Sequence, residues 1–101
     1  MGNFKDLVQK RRSIRKFTDQ EVKAEDLQTI LRAALMSPTG KSVRAWHFVV
    51  VDDSALLEKM SLCRPMGSQF LAEAKVGIVV LGDRGATVVW CEDASLAAVT
   101  M

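Results

Sequence analysis

Two stretches of the chain carry side chains at spacings suited to chemistry. The first, Lys10-Arg11-Arg12-Ser13-Ile14-Arg15-Lys16, places five cations in seven residues. Arginine forks grip phosphate oxygens two at a time, and a serine hydroxyl among them adds a directional donor, so the segment suits a phosphate monoester. The same composition also describes a solvated basic turn, and the residues alone leave both readings open. A nucleic-acid surface fits less well, because no aromatic residues interleave with the cations to stack bases. The charge elsewhere is balanced, at a net +2, which argues against a polyanion as the general partner.

The second stretch is Ser37-Pro38-Thr39-Gly40-Lys41-Ser42-Val43-Arg44-Ala45-Trp46. Small hydroxylated residues and Gly40 allow a flat ligand to approach the backbone closely, and the amides of such a loop supply directional hydrogen bonds. An ordinary connecting loop has the same composition. Gly40-Lys41-Ser42 looks like the end of a phosphate-binding P-loop, but the order here is helix, loop, strand, and the first glycine is missing.

The elements that must hold these stretches follow from periodicity. Asn3 and Asp6 read as a helix cap with its partner, and Phe4, Leu7 and Val8 recur at helical spacing, which predicts a short helix over residues 4–12. Leu27, Ile30, Leu31, Ala34 and Leu35 form one apolar stripe of a second helix. Glu25 and Asp26 suit its first turn, and Pro38 forces its end. Trp46-His47-Phe48-Val49-Val50-Val51 reads as a strand largely buried on both faces. Asp52-Asp53-Ser54 caps a third helix bearing Leu56, Leu57 and Met60, which Arg64-Pro65-Met66-Gly67 breaks. A helical turn follows over residues 68–72, then a second strand over residues 76–81 closed by Gly82-Asp83. A last helix starts near Thr87 with Trp90, Ala94, Ala97, Ala98 and Met101 on one face. It has no C-terminal cap before Met101, so its apolar face is expected to meet another subunit or further sequence.

The totals bound the rest. At 101 residues, 49% hydrophobic and 26% charged, the chain reads as one ordinary globular domain. Cys63 and Cys91 are too few for a disulfide framework or a zinc set and read as buried or free thiols of a reducing compartment. The polar start has no signal-peptide core, and Met1-Gly2 lacks the Ser or Thr that myristoylation requires. The apolar runs at 48–51 and 78–81 are strand-length, so no membrane partner is expected and the cytoplasm is the default location. His47 reads as structural, Asp53 as a cap, Glu92 and Asp93 as surface or subunit contacts, and no group of residues reads as a metal site.

Taken in order, Arg-Arg-Ser-x-Arg after a short helix, a helix running into Ser-Pro-Thr, Trp-x-Phe-Val-Val-Val, the later strand and the Trp90-Cys91-Glu92-Asp93-Ala94-Ser95 helix resemble the nitroreductase family of FMN enzymes, over nearly the whole chain. The resemblance implies an α+β fold, a central and mostly antiparallel sheet flanked by helices, of which residues 1–101 are a single domain's N-terminal half. Family domains run to about twice this length, the remainder supplying further strands, a glycine-containing segment and a late basic residue. By the same resemblance, Arg11, Arg12 and Ser13 hold the FMN phosphate and ribityl chain. Arg15 lies near the pyrimidine edge of the ring, where a cation favours the reduced, anionic flavin. Ser37, Pro38 and Thr39 meet the ring system from the other subunit of a homodimer, Ser42 joins them as a cofactor contact, and Gln69 falls at the ring edge.

The activity so implied is hydride transfer from NAD(P)H through FMN to a small acceptor such as a nitroaromatic or quinone, with no catalytic side chain required and no nucleic-acid partner. Two alternatives stand beside it: a flavin-binding protein without reductase turnover, and a basic module for phosphate-rich polymer. One departure is plain: the family's Asn-x-Gln-Pro-Trp is here Ser42-Val43-Arg44-Ala45-Trp46, without the proline and both amides. Because part of the implied site lies elsewhere, the 101-residue chain as an isolated monomer is expected not to hold FMN tightly. A fluorescence titration that finds tight binding by a verified monomer would overturn that expectation.

Overall fold

Four helices and a two-stranded antiparallel sheet account for the regular structure of the computed structural model, which describes residues 3–101. The reading made on Met1 and Gly2 lies outside the described residues. The first helix, α1 (Phe4–Lys10), begins where expected: the Asp6 N–H donates to Asn3 Oδ1 at 3.0 Å, satisfying one of the helix's free amides. It ends two residues before the expected boundary. Arg11 is already extended (φ −57, ψ 133), and the Arg12 guanidinium folds back to donate to the carbonyls of Gln9 at 3.0 Å and Arg11 at 2.8 Å. A cation on the last carbonyls is a favoured way to stop a helix. No residue of α1 is buried, and Phe4, Leu7 and Val8 are exposed.

Residues 11–23 form an extended strap without regular structure. Two contacts pin its second half: the Phe17 ring tilts against Phe70 with centroids 6.2 Å apart, and Glu21 pairs with Lys75 at 3.5 Å. Helix α2 (Ala24–Leu35) carries Glu25 and Asp26 in its first turn, as read from the sequence. Of its apolar stripe, Ala34 is fully buried, Leu27, Ile30 and Leu31 are half-buried, and Leu35 is exposed.

Strands β1 (Trp46–Val51) and β2 (Gly77–Gly82) pair in register from Trp46 opposite Gly82 to Val51 opposite Gly77. The expectation that the first strand is largely buried on both faces is corrected: Val49 and Val50 are 45% and 37% exposed, and His47 is exposed. The cause is the ribbon itself, since each strand has one neighbour here and α4 is the helix packed on both. Helix α3 (Ser54–Met60) is capped by Asp53, whose Oδ1 accepts from the Ala55 N–H at 3.0 Å, and it buries Leu57 to 1% exposure. It stops at Met60, before the Arg64-Pro65 breaker, and a 3-10 segment (Gln69–Glu73) follows one residue later than expected.

Helix α4 (Trp90–Thr100) starts at Trp90 and not near Thr87, because residues 87–89 turn on themselves with the Val89 N–H donating to Thr87 Oγ1 at 3.3 Å. It packs against β2, α2 and β1. The centre of the core is Ala34 of α2, Trp46 of β1 and Ala97 of α4, with Phe48 and Met101 alongside. Gly82 is required by this packing, since a Cβ there would lie 2.8 Å from the Trp90 ring and 3.0 Å from its carbonyl.

Leu57→Ala is expected to lower the unfolding free energy by about 2–5 kcal/mol, the cost of an emptied core site. Gly82→Ala is expected to destabilise as well, by driving α4 off the ribbon. Urea unfolding of both variants checks this; midpoints equal to the wild type would contradict the packing described.

Candidate functional site

The basic segment sits where α1 has ended and the strap has not yet been pinned. Its residues are exposed throughout. Arg12 spends one nitrogen, Nη1, on the carbonyls that end α1, leaving its other donors directed elsewhere. Ser13, Arg15 and the Arg11 side chain have no hydrogen-bond or ion-pair partner among the described residues. A row of uncommitted guanidinium and hydroxyl donors, fixed at one end by a helix terminus and at the other by Phe17 on Phe70, is chemically suited to a phosphate group.

The second stretch is built differently. Ser37 is buried, and its hydroxyl donates to the Ala34 carbonyl at 2.8 Å, closing the end of α2. Pro38 is exposed and Thr39 half-exposed. Gly40 is held from beneath: its N–H donates to Asp93 Oδ1 at 3.0 Å, from a residue 53 positions away on α4. It also lies against Val89, so that a Cβ at position 40 would stand 2.7 Å from Val89 Cγ2. Beyond Gly40 the backbone is bent by Lys41, Ser42 and Arg44, all left-handed with φ of 53, 56 and 55, a conformation that costs a non-glycine residue about 1–3 kcal/mol. The Val43 N–H donates to the Gly40 carbonyl at 3.2 Å, and the Asp83 N–H ties Ala45 to the end of β2 at 2.7 Å.

Asp93 overturns its expected role as a surface or subunit contact. It is 3% exposed, on the buried face of α4 one turn before Ala97. Its Oδ2 is buried without a hydrogen-bond partner among the described residues, as is Nε1 of Trp46. The signal was present in the sequence, since residues 90, 93, 97 and 101 share the helical stripe read there as apolar, and spacing puts Asp93 inside it.

Gln69 is committed locally. Its Oε1 accepts from the Gly67 N–H at 2.9 Å, and its Nε2 donates to the Pro65 carbonyl at 3.0 Å, bracing a turn in which Gly67 has φ 96. Two clefts of the described surface are lined by other residues: one of about 700 Å³ by Phe17, Glu21, Asp52, Leu57, Glu73 and Lys75, a smaller one by residues between Lys16 and Val22 with Ala74 to Val76. Neither includes the basic donors at 11–15, the 37–42 loop or Gln69. Cys63 and Cys91 are free, as expected, but exposed and not buried. Among the described residues no group of His, Cys, Asp or Glu could hold a metal ion, and no helix is long and apolar enough to cross a membrane.

Residues 8–63, more than half of the chain, match the sequence profile of the Nitroreductase family. A protein of Archaeoglobus fulgidus, provisionally named an NADH dehydrogenase/NAD(P)H nitroreductase, is 40% identical over 77 residues, covering 76% of this chain and 44% of its own length. An FMN-dependent nitroreductase from Clostridium difficile has the same fold over 93% of this chain and 55% of its own, with a TM-score of 0.91 and 47% identity. A provisionally named nitroreductase from Desulfovibrio desulfuricans, solved in complex with FMN, aligns over 98% of this chain and 59% of its own at a TM-score of 0.76 and 31% identity. The chain thus spans about half the length of the curated relatives it matches, and the α+β architecture expected from the sequence is the one these structures have.

Gly40→Ala is expected to destabilise the protein by about 1–3 kcal/mol, because its methyl must displace Val89 from a packed contact. Thermal unfolding measures this, and an unchanged midpoint would show that the loop does not rest on α4 as described.

Proposed function

The chain belongs to the nitroreductase family, and on that premise we propose that it forms part of an FMN-dependent oxidoreductase taking hydride from NAD(P)H and delivering it to a small acceptor such as a nitroaromatic or quinone. The observation that carries the reading is the uncommitted donor set at the start of the strap: Arg11, Ser13 and Arg15, exposed and without partners among the described residues. Buried or mutually paired cations would have spoken against a phosphate ligand; free guanidinium forks beside a hydroxyl fit one.

When bound, FMN supplies the hydride chemistry itself, and the protein's part is binding, orientation and electrostatics. Arg11 and Ser13 grip the phosphate, with the Arg12 nitrogens not spent on α1 able to join them. Arg15, four residues beyond Arg11, holds positive charge beside the ring. The 37–42 loop serves the flat ring by backbone, since Ser37 spends its hydroxyl proton on Ala34 and Gly40 offers no side chain. As the family resemblance implies, a second copy that brings its own loop to the ring completes the site. Gln69 acts as a brace of its turn in the state described and reaches a ring only by giving up its bonds to Pro65 and Gly67.

The purified homodimer, with the remainder of the family domain present, is expected to be yellow, with flavin absorbance that NADPH bleaches and a nitroaromatic restores. Yellow protein that NADPH leaves unbleached would reduce the proposal to flavin binding. Colourless protein that fails to take up added FMN, and binds DNA with a steep salt dependence, would overturn it in favour of a polyanion-binding module.

A further inference from the structure

We propose that Asp93 is a positioning residue for the flavin ring: a buried carboxyl group on α4 that fixes the left-handed 40–44 backbone in the shape the ring meets. The inference rests on the flavin reading above, and its geometry stands apart from it. Asp93 is 3% exposed and reaches the loop through a single bond, the Gly40 N–H to Oδ1 at 3.0 Å. The bond falls at the entrance to the strained stretch, immediately before Lys41, Ser42 and Arg44 with φ of 53, 56 and 55. Such conformations persist only where the surroundings impose them, and the side chains of residues 41–44 are exposed. The Ser42 and Val43 N–H groups close turns onto the Thr39 and Gly40 carbonyls, Asp83 ties Ala45 beyond them, and from beneath Gly40 the stretch is anchored by Asp93 and the Val89 methyl that a Cβ at position 40 would strike.

Stability alone is a poor account of this arrangement. Gly40 is half-exposed, and water could satisfy its N–H. Burying a carboxyl group to do so instead costs free energy, and the cost is the greater because Oδ2 is buried with no partner among the described residues. An unpaired buried oxygen kept for the sake of one loop amide makes sense if the exact course of that loop matters. The 53-residue separation also makes α4 the fixed reference, because the helix carrying Asp93 is set by Ala97 against Ala34 and Trp46.

The test compares Asp93→Ala, Asp93→Asn and Leu57→Ala with the wild type. Two quantities are read: amide hydrogen exchange at residues 40–44 without flavin, and the dissociation constants of FMN and riboflavin by fluorescence. Asp93→Ala is expected to speed exchange at Gly40 and the amides after it, and to weaken FMN and riboflavin by the same factor, about tenfold for one lost buried hydrogen bond. Equal factors locate the damage at the ring, since riboflavin lacks the phosphate. Asp93→Asn, which keeps an acceptor for Gly40, is expected to restore both readouts, and Leu57→Ala to lose stability without changing either dissociation constant.

An Asp93→Ala variant that loosens the loop yet binds both flavins as the wild type does would overturn the inference alone. So would an Asp93→Asn variant as impaired as the alanine. Should Asp93→Ala not fold, the wild type still decides: flavin is expected to slow exchange at residues 41–44 and leave Gly40, already held, unchanged, and a loop indifferent to flavin refutes the proposal. All variants are made in the dimer that carries the remainder of the family domain, and a wild type of that form that takes up neither flavin overturns the functional reading and this inference together.

Discussion

The structure depends on how closely α4 can lie on the β1–β2 ribbon. Its approach is set by small residues: Ala97 meets Ala34 and Trp46 at the centre, and Gly82 makes room for Trp90 at the helix start. Alanine and glycine contribute little apolar area themselves, but they let backbones come near enough for Trp46 and Phe48 to be covered. Everything assigned to the 37–45 loop follows from that contact. Because α4 is pressed down on the ribbon, Asp93 arrives one turn away from Ala97 at the height of Gly40, and the loop between α2 and β1 is caught on it.

The two stretches that opened the sequence analysis are held by opposite means. The loop is fixed at both ends and from below, through Ser37 on Ala34, Gly40 on Asp93 and Ala45 on Asp83. The basic segment is fixed only at its ends, by the terminus of α1 and by Phe17 and Glu21 farther on. Rigid donors suit a flat ring that must be met at one angle, whereas a phosphate, presenting oxygens in several directions, tolerates long side chains that settle as it binds.

Most of the element order was legible because it rests on local rules. The Asn3 and Asp53 caps, the acidic first turn of α2 and the stop before Pro38 are decided by neighbours within a few residues. What was illegible depended on contacts between distant residues. Val49 and Val50 read as buried by composition, yet their exposure depends on how many strands lie beside β1. The early end of α1 depends on where the Arg12 side chain turns, and the exposure of Cys63 on a turn outside α3. Asp93 is the instructive case: its spacing placed it on the buried stripe, but its chemistry suggested the surface, and only a partner 53 residues away reconciles the two. The left-handed Lys41, Ser42 and Arg44 gave no such sign, since none is a residue type that favours that conformation.

Those left-handed residues also bear on how the loop can change over time. Glycine at position 41, 42 or 44 would relieve the backbone cost in the folded chain, yet it would also give the unfolded chain more conformations to lose. The two effects oppose each other, but the relief of about 1–3 kcal/mol exceeds the entropic cost of about 0.4–1 kcal/mol, so glycine gains stability on balance, while a β-branched residue meets a steep penalty. Folding alone therefore favours glycine at each of the three positions, and none of them has it. Their side chains stand exposed over a backbone that a helix anchors from beneath at Gly40.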